Sequence, residues 1–147
     1  MDYTVLVPIA LVVIIAAYFI LKSPARFIDV RLGNTTVHAE VADTFPKQMK
    51  GLMFRGSMPA NQGMLFTFGY DGYHGIWMMN MSFPIDIIWV DSQQKVVDIV
   101  KNAQPCRIIC PTYKPESEAR YVIEVNAGFA KKHGVEIGDK VRFSLSS

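Results

Sequence analysis

The sequence predicts a mainly β domain, a compact β-sandwich or barrel-like unit with two short helices, preceded by one N-terminal transmembrane helix. Three observations carry that expectation. An uncharged apolar run fills Tyr3 to Leu21. From Phe27 onward, apolar residues alternate with polar ones in short stretches separated by turn residues, which is the pattern of strands with one buried face. Only two segments carry helix start and stop signals, so βαβ repeats are not indicated, and no internal repeat is visible. The organisation expected is therefore an anchor at 1–22, a linker at 23–26 and a mostly-β domain at 27–147.

The apolar run is 19 residues without a charge. As a helix it spans about 28 Å, close to the ~30 Å hydrocarbon core of a bilayer. Tyr3 and Tyr18 lie near its ends, where amphipathic rings prefer the headgroup region, and Pro8 falls in an early turn. A cleaved signal peptide needs a basic n-region and a shorter apolar stretch, but only Asp2 separates Met1 from this run. An uncleaved anchor is expected, with the lipid bilayer as a partner through residues 3–21. Lys22, Arg26 and Arg31 follow the run and none precedes it, which by the positive-inside rule favours a cytoplasmic domain. A cysteine pair further on favours the opposite side, so the side stays open.

After the linker at Ser23-Pro24-Ala25, Ile28, Val30 and Leu32 share one face of a strand. Gly33-Asn34 is a two-residue hairpin signal, and the return strand places Val37, Ala39 and Val41 on one face. Thr44 is a candidate N-cap with Pro46 in the first turn. Met49, Leu52 and Met53 then form an apolar helical face that Gly56 closes. Gly51 within this helix suggests close packing of another backbone. Strands are expected at Gly63–Phe68, Gly75–Met79, Ile85–Val90, Lys95–Lys101 and Tyr121–Val125. Turns fall at Gly69–Gly72, Asn80–Pro84 and Asp91–Gln94. Asn126 can cap a second helix running to Lys132 and stopped by Gly134, and Val141, Phe143 and Leu145 alternate in a last strand.

Composition bounds function by exclusion. Of 147 residues, 50% are hydrophobic and 19% charged, with a net charge of +2 and a mean hydropathy of +0.19. The mixed, near-balanced charge argues against a nucleic-acid partner, and two cysteines cannot form a disulfide-dense scaffold. No Gly-rich phosphate loop, nucleophile elbow or His-Glu-x-x-His helix is present. No cofactor is expected.

A set of motifs occurs in order: Gly51-Leu52-Met53-Phe54-Arg55, Gly63-Met64-Leu65-Phe66, Trp77-Met78-Met79-Asn80, Pro84-Ile85-Asp86-Ile87, Pro105-Cys106 and Tyr121-Val122-Ile123-Glu124. On these the chain resembles the domain-of-unknown-function family numbered 192, over about Val30 to Val141. The resemblance implies a compact mostly-β domain, often exported or membrane-anchored, with no established biochemical activity. The family usually reads Trp-Met-Lys-Asn-Thr where this chain has Trp77-Met78-Met79-Asn80-Met81, so any role of that lysine or threonine is absent here.

The residues able to carry chemistry are few. Asp86 sits in the apolar run Phe83–Val90. It reads either as a general acid or base in a pocket near Trp77 and Asn80, or as an acceptor for backbone N–H groups of the Asn80–Phe83 turn or a partner for Arg55. Arg55 otherwise reads as a surface cation or an anion ligand. Glu124 alternates with Val122 off the Ile123 face and reads as solvated, with an acid/base pair between the two carboxylates as the sharper alternative. Cys106 and Cys110 are close enough in sequence for a small disulfide loop, and they lack Cys-x-x-Cys spacing. Met49, Met53, Met58, Met64, Met78, Met79 and Met81 make a dense thioether set that Cys106 or His74 could join around Cu(I); flexible core packing is the plainer account. No metal ligand set follows from His38, His74 and His133, which are scattered.

The functional expectation is a membrane-anchored, non-catalytic binding or accessory module for an unspecified ligand or protein partner. Its surface would be formed by Trp77, Met78, Met79 and Asn80, with Arg55 and Asp86 ordering the floor. An envelope-associated hydrolase using Asp86 is the alternative, and a Met/Cys copper-handling protein a weaker one.

Overall fold

The computed structural model describes residues 11–12 and 24–145. The anchor expected at 3–21 thus lies outside the described residues apart from Leu11 and Val12. Among the described residues, no helix is long and apolar enough to cross a membrane.

The domain is mainly β, with two short helices and a mixed sheet. Strand β1 (Phe27–Leu32) turns at Gly33-Asn34 into β2 (Thr35–Ala42), and the antiparallel register pairs Val30 with Val37. Val30, Leu32, Val37 and Ala39 are all fully buried, as a period-two pattern requires. Gly33 is needed twice over. Its φ is +59°, and an added Cβ would lie 2.5 Å from the His133 carbonyl oxygen.

Helix α1 (Phe45–Lys50) follows, then β3 (Gln62–Gly72), which runs parallel to β2. This one crossover makes the sheet mixed. The helix is shorter than its sequence suggested. It stops at Gly51, whose φ of +48° forms the C-cap and whose N–H donates to the Lys47 carbonyl at 2.8 Å. Met49 and Leu52 therefore do not share one helical face, and α1 buries no side chain of its own. The constraint on Gly51 is also different from the one expected: beyond its positive φ, the Phe66 ring lies 3.3 Å from where a Cβ would sit.

Strand β4 (Ile76–Trp77) pairs only with β7 (Thr112–Tyr113), forming a small two-stranded arm. The main sheet continues with β5 (Ile85–Val90), β6 (Val96–Ala103) and β8 (Ala119–Asn126), in the order β1-β2-β3-β8-β5-β6. Strand β8 thus enters between β3 and β5, antiparallel to both. The turn expected at Gly69–Gly72 is instead part of β3, held by an Arg120–Asp71 ion pair at 2.9 Å.

All six residues of β5 are buried, because both sides of the sheet centre are covered. On one side Leu65, Ile88, Ile123 and Val125 meet Phe129 and Ala130 of helix α2 (Phe129–His133). On the other, Phe66, Ile87, Trp89 and Val122 meet Leu52, Met58, Met78 and Met81. The fully buried Leu, Ile and Val side chains among these each contribute about 1.5–3 kcal/mol. Val141, Phe143 and Leu145 face the core in alternation as expected, but among the described residues this segment makes isolated bridges and no continuous strand. Residues 138–142 form a strap: Arg142 exchanges backbone hydrogen bonds with Arg31 of β1, and Val96 of β6 donates to the Asp139 carbonyl. One short segment so bonds to both edge strands.

Candidate functional site

Two carboxylates sit on adjacent central strands and point to opposite sides of the sheet. The register pairs Asp86 with Val125 and Ile87 with Glu124. Because side chains alternate, Asp86 shares the face of Val125 and Glu124 the face of Ile87. They cannot form an acid/base pair.

Asp86 is fully buried and fully occupied. The N–H groups of Asn102, Gly128 and Ala130 donate to its oxygens at 2.9, 3.2 and 2.9 Å. Two of these are first-turn donors of α2, which has no cap from its own N-cap residue, Gly128. Asp86 therefore caps α2 from the neighbouring strand. Asn126, expected as that cap, donates instead to the Met58 and Pro59 carbonyls at 2.9 and 3.2 Å.

Glu124 is 4% exposed and has the opposite fate. Among the described residues no hydrogen bond or ion pair reaches its carboxyl. No side-chain nitrogen or oxygen sealed inside the described part lacks a partner, so the Glu124 oxygens are not sealed in. They open into a groove of about 360 Å³. Burial pushes the Glu124 carboxyl up to about 8, and the positive charge of Arg55 only partly offsets this. The Arg55 guanidinium is engaged elsewhere, donating to Glu40 Oε2 at 2.6 Å.

The groove is built by three elements. Helix α1 supplies Phe45 and Met49, β3 supplies Phe66 and Phe68, and the arm supplies Ile76, Trp77 and Thr112. Gln48 ties the helix wall to the sheet, its Nε2 donating to the carbonyls of Thr67 at 2.8 Å and Ala42 at 3.3 Å. Phe45 is 74% exposed although it lines the groove, so this wall presents apolar surface outward. At Gly75 an added Cβ would lie 2.6 Å from Thr112 Cγ2, which keeps the two arm strands in close contact. The arm is clamped from outside by the Cys106–Cys110 disulfide, whose Cα atoms are 5.6 Å apart. Cys106 donates its N–H to the Met78 carbonyl and accepts from Asn80 N–H, both at 3.0 Å.

The family model for DUF192, described as an uncharacterised ACR, matches residues 28–143. A UPF0127 protein of Thermococcus gammatolerans is 37% identical over 111 residues, which is 74% of this chain and 68% of that protein. The chain belongs to the DUF192 family. A UPF0127 protein of Pyrococcus abyssi is 35% identical over 71% of this chain and 84% of its own length. A solved structure of a protein of unknown function from Novosphingobium aromaticivorans aligns with a TM-score of 0.74 at 31% identity, covering 82% of this chain and 88% of that one.

Within this DUF192 domain the candidate residues scatter. Trp77 lines the groove, half-buried. Met78 is fully buried in the core behind it. Asn80 has φ +55° and closes the turn beside the arm, its carbonyl accepting the Phe54 N–H at 3.0 Å. Arg55 pairs with Glu40 and not with Asp86, and Asp86 takes its donors from Asn102 and α2 and not from the Asn80–Phe83 turn. Asp86 does not line the groove. The disulfide occupies the Cys106 sulfur that could have joined the thioethers around Cu(I), and Met58, Met64, Met78 and Met81 are core residues. The group that alternation hid is Glu124. Its signal was indirect: Ile85–Val90 is apolar at five of six positions, which already implies a sheet covered on both sides.

Proposed function

We propose that this domain is a non-catalytic binding module whose groove takes a small, largely apolar ligand. The observation that carries this is Glu124, a buried carboxyl without a partner among the described residues, lining an apolar, aromatic-walled cleft. Buried polar groups are normally paired within the protein, and an unpaired one facing a cleft is suited to orienting a ligand. Asp86, committed to three backbone donors on the other side of the sheet, supplies the groove with neither acid nor base. The tether is the uncharged run Tyr3–Leu21, on the strength of its length and composition. The Cys106–Cys110 bond supports placement of the domain on the oxidising side of the membrane.

Titration of the chain with the neutral, polarity-sensitive dye N-phenyl-1-naphthylamine tests the binding reading. Saturable enhancement is expected, reduced at least tenfold in affinity by Trp77→Ser with the melting temperature within a few degrees of the parent. Dye enhancement that is absent, or indifferent to Trp77→Ser, sinks it. The tether is checked separately by carbonate washing of membranes; release of the chain into the soluble fraction would exclude it.

A further inference from the structure

The groove carries more information than its apolar walls, because the buried polar group among its lining residues is a carboxyl that no described residue bonds. We propose that the groove selects amphipathic primary amines, seating an alkyl- or arylammonium head against the Glu124 carboxylate and the apolar body against Phe66, Phe68 and Trp77. This rests on the groove being a binding site, as argued above.

The charges around Glu124 favour a cation from the ligand. Its strand neighbours are Met64 on β3 and Ile87 on β5, neither of which titrates. The arm contributes Ile76, Trp77 and Thr112, all uncharged. Lys50 of α1 stands at the rim with its side chain exposed. Arg55 is the nearby cation, and its bond to Glu40 leaves it only a partial counter-charge for Glu124. An anionic ligand would meet the carboxyl head-on. An ammonium group would supply three donors to two oxygens that have none. Aromatic faces and the thioethers of Met49 and Met81 suit an alkyl or aryl body and add cation–π attraction.

The chemistry is a proton exchange with solvent. The protonated Glu124 carboxyl and R–NH₃⁺ become a carboxylate–ammonium pair, and the carboxyl proton leaves to water or buffer. No bond other than O–H changes. Since burial holds the free carboxyl near 8, binding at pH 6 to 7 should release close to one proton per ligand. The charged groups around Glu124 are Arg55, Glu40 bonded to it, and Lys50. Arg55 and Glu40 are bonded to one another at 2.6 Å.

Isothermal titration of the full chain with hexylamine and with 1-hexanol, from pH 6 to 9, separates the possibilities. Two buffers of different protonation enthalpy, neither a primary amine, count the protons. Hexylamine is expected to bind at least tenfold tighter than 1-hexanol at pH 8. Its affinity should rise close to tenfold per unit below pH 8 and level off above, with close to one proton released at pH 6. Glu124→Gln should abolish the amine preference and the pH slope while 1-hexanol still binds. The slope and proton count of the parent chain decide the matter even if that variant fails to fold. Hexanol binding equal to or tighter than hexylamine, or amine affinity that falls as pH rises, overturns the amine proposal and leaves the groove reading intact. Binding of neither compound overturns both.

Discussion

The two sides of the central sheet treat a carboxylate in opposite ways. On one side Asp86 is surrounded by donors and locks α2 onto β5; that side is closed and its helix buries Phe129 and Ala130. On the other side Glu124 has no donor among the described residues, and the helix above it, α1, buries no side chain of its own. The two residues lie on neighbouring strands one register position apart, so the difference comes from what covers each side. A carboxylate that meets backbone N–H groups becomes part of the scaffold. One that meets only hydrocarbon and an opening becomes a group held ready for something that arrives from outside.

Several substitutions break or sharpen that contrast. Asp86→Ala should have the largest effect, since it strips three N–H groups, one of them buried, of their acceptor. A loss of about 3–5 kcal/mol is expected, read as a lower urea midpoint at constant m-value. A loss below 1 kcal/mol would mean that the closed side does not depend on Asp86.

Glu124→Gln should act with the opposite sign. Burial raises the folded carboxyl from 4.5 to about 8, so the folded state keeps a proton that the unfolded state gives up. Stability from this group is fully present below about pH 4.5 and is lost as pH rises through about 8. Glu124→Gln should flatten that decline and be the more stable protein at pH 9, by on the order of a few kcal/mol. Urea titrations at pH 5, 7 and 9 check this. Parallel pH profiles for parent and variant would place Glu124 with the satisfied carboxylates.

Reduction of Cys106–Cys110 should cost about 2 kcal/mol, the value for so small a loop. Because the loop braces the arm, Trp77 emission should shift to the red on reduction. An unchanged spectrum would show that the groove wall does not need the clamp. The smallest effect should come from Phe45→Ser. A helix with no buried side chain should tolerate it within about 0.5 kcal/mol, while dye affinity falls. A larger stability loss would show that α1 holds the fold and does not merely roof the groove.

Much of the closed side was legible in the sequence, because it follows local rules. Gly33-Asn34 marks a hairpin, the alternation through Val37 and Ala39 marks a buried face, and Gly134 ends a helix. The groove was not legible, because it depends on contacts between distant segments. The helical face drawn through Met49, Leu52 and Met53 failed when Gly51 ended α1 early. The turn drawn at Gly69–Gly72 failed because Asp71 has a partner 49 residues on, in Arg120. Glu124 read as solvated because alternation says only that a residue faces away from Ile123. It cannot say that α1 and the arm, from elsewhere in the chain, cover that other side.

The insertion of β8 between β3 and β5 has a consequence for synthesis. Until Ala119–Asn126 has left the ribosome, the nascent chain holds a β1-β2-β3 half and a β5-β6 half, each ending in an unpaired central strand edge. Those edges, Gly63–Thr67 and Ile85–Val90, are among the most apolar stretches of the domain, and such edges pair readily with other chains. The chain must therefore be extended through Asn126 before either half is safe. A chain held with β3, β5 and β6 exposed but β8 still enclosed would be in its most aggregation-prone form, and a chaperone acting at that stage would have its greatest effect.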